Sequence, residues 1–285
     1  MIKDVFTWTY VVFAVISLIV CASIVGLSLA FVPDAIPVGI AGAVSYLTVF
    51  FIITRCLPIW RSGSLLWVII SMYWGGFVVV GTIFPTSSAI SDLVKTAGLD
   101  RLEASASGAI PEEIGKAAGV FVILFMARRV WDRPWHGLLA GFSVGMGFEI
   151  VENLLYGSVG APSDPTSDVH GAFESWVVRT CLGFGLHAML TGLSGFAIAS
   201  ALMVANKSMA WRLGVGAGGV LAAIGFHGWW NVQWPESFGI FLMFPGWIGL
   251  TAIIVVILKK HWQRAKNDRQ RPLPSHKKAW KQVPV

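Results

Sequence analysis

The residues able to do chemistry are carboxylates and imidazoles that stand inside apolar segments. Glu149 and Glu152 lie in Gly141-Phe-Ser-Val-Gly-Met-Gly-Phe-Glu-Ile-Val-Glu-Asn-Leu-Leu-Tyr156, a run apolar enough to enter a membrane. An ionisable group at that depth costs about 2.5–3.5 kcal/mol on insertion scales, so it needs a partner. In a helix the two carboxylates share a face, and Tyr156 sits one turn beyond Glu152. Pro111-Glu112-Glu113-Ile-Gly-Lys116 opens another apolar run. His187 falls in Leu186-His-Ala-Met-Leu-Thr191, and His227 opens His227-Gly-Trp-Trp-Asn231, with Asn231 one turn on. Two histidines and a carboxylate, with a second carboxylate nearby, form a ligand set that zinc enzymes use with water in the fourth position. Water on such a metal ionises near pH ~7, and a neighbouring glutamate can take its proton.

Each group also has a purely structural use. Pro111 suits a first helical position, carboxylates in a first turn favour the helix dipole, and Lys116 can pair with Glu112 or Glu113. Glu149 and Glu152 can bond to a neighbouring helix, or stay neutral through burial. His187 can be a neutral imidazole satisfied by a neighbour. What favours a shared site is depth, and depth follows from the elements that carry these residues.

With 55% hydrophobic and 13% charged residues and a mean hydropathy of +0.71, the 285-residue chain departs far from soluble averages. It reads as an all-α polytopic membrane protein. Apolar runs predict about eight spans, roughly 6–32, 38–57, 65–84, 112–130, 136–157, 176–205, 211–232 and 238–258. They form a single bundle over 1–258, followed by a basic cytoplasmic tail, 259–285. Arg55 and Arg61, then Arg128, Arg129 and Arg133, then Lys207 and Arg212, and finally Lys259 and Lys260 occupy alternate connections. The other connections carry Asp34, a mixed set around Lys95 and Arg101, then Asp164, Asp168 and Glu174, then Glu236. The positive-inside rule therefore places both termini in the cytoplasm. Spans four to seven alternate in direction, which brings Glu112, Glu113, Glu152 and His227 to the outer half, with His187 near or above the middle.

Nine of the 21 Lys and Arg follow Leu258, so the net charge of +6 and pI near 9.4 point to anionic lipid at the tail and not to nucleic acid. Cys21, Cys56 and Cys181 are scattered and imply no disulfide framework. The connection 85–111 holds a helical pattern at 90–97, readable as a short surface helix or an ordered loop, and 157–175 reads as a flexible outer loop. Trp8, Trp60, Trp135, Trp176, Trp211 and Trp262 fall near helix ends, as interfacial anchors do. His136, His170, His261 and His276 lie in loops or the tail and read as solvated. Gly141 and Gly145 form a small-xxx-small pair that admits a close helix neighbour.

Taken together, Glu112-Glu113-x-x-Lys116, Gly147-Phe148-x-x-x-Glu152-Asn153-x-x-Tyr156, Arg179 followed by His187-Ala-Met-Leu-Thr191, and His227-Gly-x-x-Asn231 resemble the PrsW family of intramembrane proteases. That family is distantly similar to the CAAX prenyl endopeptidase and bacteriocin-processing group. The resemblance covers about 112–231. It implies a membrane-embedded peptidase in which Glu112 or Glu113 activates water and His187 is required. It also implies Lys116, Phe148, Asn153, Tyr156, Arg179, Thr191 and Asn231 as supporting residues. Glu152 stands where the CAAX group usually has histidine, so both a metal-dependent and a glutamic type stay open. Glu149 has no counterpart in the motif.

The reading is a hydrolase of the cell membrane that cuts a peptide bond in a membrane-protein substrate. The resemblance implies a substrate such as an anti-sigma factor or another single-span regulator. Glu152, His187 and His227 are the expected ligands of a zinc ion, and Glu113, the deeper of the pair, the expected base. Two rivals use the same residues. A proton- or ion-coupled transporter would show symmetry or broken helices in corresponding halves. A non-catalytic scaffold descended from a protease would keep part of the motif set.

Overall fold

In the computed structural model residues 4–235 and 237–270 are described, and every regular element among them is helical. The bundle is built around α6 (Pro134–Gly160). Every residue of α6 from 134 to 151 is buried, as expected of a helix apolar on all sides. In a membrane such a helix gains from close backbone contact with its neighbours, which small residues permit. The expected glycine pair does this against α8 (Leu186–Met203). A Cβ on Gly141 would stand 2.0 Å from the carbonyl oxygen of Thr191, and one on Gly145 2.1 Å from that of His187.

On another face α6 meets the third span. This begins as α3 (Ser64–Tyr73), passes through a π-helical stretch (Trp74–Val79) and continues as α4 (Val80–Thr96). The π stretch widens the helix where Gly75 passes α6, a Cβ there lying 1.8 Å from the carbonyl oxygen of Val144. The helical pattern at 90–97 is thus the end of span three and not a separate surface helix. α1 (Val5–Phe31) packs against this third span, and α2 (Ala35–Cys56) packs against α6.

Seven of the described helices are long and apolar enough to cross a membrane, one fewer than expected. The missing one is α5 (Ile110–Met126), 17 residues long. A π-helical stretch, Ser105–Ala109, leads directly into it, so the backbone is helical without a break from 103 to 126. The cause is Pro111, which lacks the N–H that an α-helical turn would use and crowds the carbonyl before it. Glu112 and Glu113 therefore do not cap a free helix end.

The expected single span 176–205 is two helices, α7 (Asp168–Gly183) and α8, broken at Phe184 and Gly185. Gly185 has φ +75°, a left-handed conformation that strongly favours glycine. The supposed flexible loop 157–175 is largely helical, leaving only 164–167 outside helix. There the Thr166 side chain and the Thr166 and Ser167 amides, with His170, hold the Asp164 carboxyl well below the usual carboxylate range.

α9 (Met209–Asn231) and α10 (Gly239–Arg269) complete the chain. α10 runs on past Leu258 to Arg269, and the tail beyond Gln270 lies outside the described residues, as do Glu236 and His276. Two histidines read as solvated are buried. His136 accepts the amides of Asp132 and Arg133, and His261 packs between Trp135 and Phe196. Trp60, Trp135 and Trp176 are also buried in the protein, whereas Trp8 and Trp262 are exposed as anchors would be.

Candidate active site

The N-terminal ends of α5 and α8 meet the C-terminal parts of α6 and α9 around a cavity of about 500 Å³. Glu112, Glu149, Glu152, Asn153, Tyr156, Arg179, His187, His227 and Asn231 all line it. Four helices, α5, α6, α8 and α9, thus bring the expected carboxylates and imidazoles to one place.

α5 is rotated into position by Trp74, whose indole N–H donates to the carbonyl of Gly115 at 3.1 Å. A Cβ on Gly119 would overlap the same ring at 2.1 Å, so α5 can approach only because glycine is there. That contact turns Glu112, Glu113 and Lys116 inward, all buried. The Lys116 ammonium donates to Glu112 Oε2 at 3.0 Å and Glu113 Oε1 at 2.9 Å, and lies 3.0 Å from His187 Nδ1. It also sits 3.8 Å from the centre of the Phe148 ring, which packs against His187. A fully desolvated ammonium needs partners of this kind.

His187 leaves α8 two residues after the break. An ammonium only donates, so Nδ1 accepts from Lys116 and the ring hydrogen is on Nε2, directed at Glu152 Oε2 3.0 Å away. The same Glu152 oxygen accepts from the Arg179 guanidinium, which also donates to Asn153 Oδ1 and stacks 3.9 Å from the Tyr156 ring centre. Arg179 thereby ties α7 to α6 across the mouth of the cavity.

His227, on α9, has Nδ1 3.0 Å from Glu113 Oε1 and Nε2 3.9 Å from Glu112 Oε2. Its depth is fixed by Ser105, whose hydroxyl donates to the carbonyl of Gly228 at 2.8 Å. Asn231, one turn on, donates to the carbonyl of Ala104 at 3.5 Å.

The two glutamates of the pair are placed unequally. Glu112 lines the cavity, whereas Glu113 lies behind it, fully buried, with Oε2 meeting no donor. Thr191 is buried away from the cavity, its hydroxyl without a partner.

One donor atom each from Glu112, Glu113, His187 and His227 lie within 4.8 Å of one another. Imidazole nitrogen and carboxylate oxygen are the donors zinc takes, and the orphaned Glu113 Oε2 offers a buried anionic contact without a partner. The residues therefore fit a metal ion. Glu152 stands outside this group, engaged with Arg179 and His187 Nε2.

Several contributors carry no side-chain chemistry that a motif would mark. Gly185 donates its N–H to Glu149 Oε1 at 2.7 Å, and Trp74 orients α5. The signal for the first was the Gly183-Phe-Gly185 punctuation inside an apolar run.

A family model for PrsW intramembrane metalloproteases matches residues 63–259, from the start of α3 into α10. No curated protein and no solved structure matches the chain. The match takes in α5, α6, α8 and α9, which supply Glu112, Glu113, Glu152, His187 and His227, and more than half of the whole sequence. The chain belongs to the PrsW family of intramembrane metalloproteases, and it is a multi-pass membrane peptidase that works with a metal.

Proposed function

We propose that the protein hydrolyses a peptide bond in a membrane-protein substrate at the cavity between α5, α6, α8 and α9, with Glu112 activating the water. The observation that carries this is the placement of Glu112. It is the member of the pair that faces the cavity, between His187 and His227, while Glu113 stands behind His227. Glu112 takes the proton of the attacking water and can return it to the leaving amine. Glu113 orients His227 by accepting from Nδ1–H, which leaves Nε2 turned toward Glu112. Arg179 holds Glu152, and Glu152 holds the His187 ring.

Zinc is the metal that best suits this donor set, held by Nδ1 of His187 and Nε2 of His227, with Glu113 keeping its bond to His227 Nδ1–H. Bound there, it would lower the pKa of water toward about 7. Its binding requires Lys116 to withdraw from His187 Nδ1, the one neutral acceptor the ammonium has.

The Lys/Arg distribution supports both termini in the cytoplasm and the cavity toward the outer leaflet of the cell membrane. The family resemblance implies a substrate such as an anti-sigma factor or another single-span regulator, cut near or just outside that leaflet. The basic residues from Lys259 onward would meet anionic lipid. Metal analysis of the purified full-length protein tests the site. Wild type is expected to carry close to one zinc per chain and His187→Ala to lose it, and equal metal content in both would refute the ligand assignment.

A further inference from the structure

We propose that Glu149, which the family motif leaves unassigned, is a positioning residue: it holds the break between α7 and α8 and so sets the place of His187. This rests on the reading of the cavity as the peptidase site.

The first N–H groups of a helix have no partner within it and are usually satisfied by a polar side chain at the N-cap or by a glutamate three residues in. α8 has neither. Its N-cap is Gly185, which has no side chain, and its third residue is Ala188. Glu149 supplies the missing acceptor from a different helix, taking the Gly185 N–H on Oε1 at 2.7 Å. This is the bond that a glutamate at position 188 would make in a capping box.

The geometry leaves Glu149 little freedom to do otherwise. One turn earlier, Gly145 brings α6 against α8, where a Cβ would stand 2.1 Å from the carbonyl oxygen of His187. Glu149 is 2% exposed, and its other oxygen, Oε2, is buried without a donor. The depth of the carboxylate is therefore explained by the backbone it serves. The αL turn at Gly185 (φ +75°) and the Glu149 bond together end α7 and restart α8, and His187 is the second residue of the new helix. Without the acceptor, the N–H of Gly185 would be orphaned beside the cavity and the first turn of α8 would fray, carrying His187 out of reach of Lys116 and Glu152.

The test uses the full-length protein in micelles, with zinc added as the probe. Glu149→Ala should speed amide exchange of residues 185–189 by about tenfold, the scale of a lost helix cap. It should also weaken zinc affinity by about 10–100-fold, as for other residues that orient a ligand. Glu149→Gln keeps an oxygen acceptor and should restore both to within about threefold of wild type, a rescue that mere space-filling by the side chain would not require. If Glu149→Ala does not accumulate, Gly185→Ala reads the same break from the other side. Its Cβ meets nothing within 4 Å, so only the αL strain disturbs the turn, and zinc affinity should fall about tenfold. Unchanged exchange and unchanged affinity in Glu149→Ala, or unchanged affinity in Gly185→Ala, would overturn the proposal. If the wild type binds no zinc, the metal reading fails and the exchange comparison alone decides for or against Glu149.

Discussion

Glu113 Oε1 lies 3.0 Å from Nδ1 of His227, with both side chains buried and on different helices. A carboxylate in that position fixes the tautomer and the orientation of a ligand imidazole. It gives two consecutive glutamates separate places, one facing the cavity and one facing a histidine.

Glu113→Ala should therefore act through His227. Zinc affinity is expected to fall by about 10–100-fold while the helical content by circular dichroism stays at the wild-type level. Competition with a chromophoric chelator measures the affinity. An unchanged value would separate Glu113 from the metal site.

Lys116 is the buried cation of the site, with no exposure and three acceptors. Lys116→Met leaves Glu112 and Glu113 charged in a desolvated place, a loss on the order of 3–5 kcal/mol for a broken buried pair. The variant should melt well below wild type. Adding Glu112→Gln and Glu113→Gln should recover part of the difference, because the uncompensated charge goes with them. A Lys116→Met protein as heat-resistant as wild type would contradict the ionic account.

Much of this was legible in the sequence, and the reasons are local. The carboxylates and histidines stood out because charge inside an apolar run is costly, and helical spacing set their faces. Gly141 and Gly145 announced a close helix neighbour for the same kind of reason. The break at Gly185 was hidden because hydropathy counts apolar residues and is blind to backbone φ. The run 176–205 is apolar throughout, whether or not it bends. The burial of His136 and His261 was hidden because α10 continues past the apolar run that marks its start, and helix ends in aqueous regions carry no hydropathy signal. The unequal placement of Glu112 and Glu113 depends on how Trp74 rotates α5, a long-range contact that one-dimensional spacing cannot contain.

The α6–α8 contact should tolerate no added carbon. Gly145→Ala puts a Cβ 2.1 Å from the His187 carbonyl oxygen, so α8 must shift at a cost of about 1–3 kcal/mol. Zinc affinity should fall with stability. Gly26→Ala on α1, where the new Cβ meets nothing, is the control and should leave both unchanged. Equal melting temperatures for the two variants would show that α6 and α8 are less tightly joined than described.

Topology is tested at the turn between α6 and α7. Pro165 is exposed there, and the Lys/Arg distribution puts it outside. With Cys56 and Cys181 replaced by alanine, Pro165→Cys should react with a membrane-impermeant maleimide added to intact cells. Labelling only after the membrane is opened would place the cavity on the cytoplasmic side.

The most direct measurement is a comparison of new protein N-termini in membranes of cells expressing wild type, Glu112→Gln or His187→Ala at equal levels. Glutamine keeps the size of Glu112 but cannot take a proton from water, a function typically worth about 10²–10⁴-fold. N-termini generated within or beside apolar single spans should be present with wild type and absent with both variants. The same N-termini in all three, at the same abundance, would contradict a peptidase that works through Glu112 and His187.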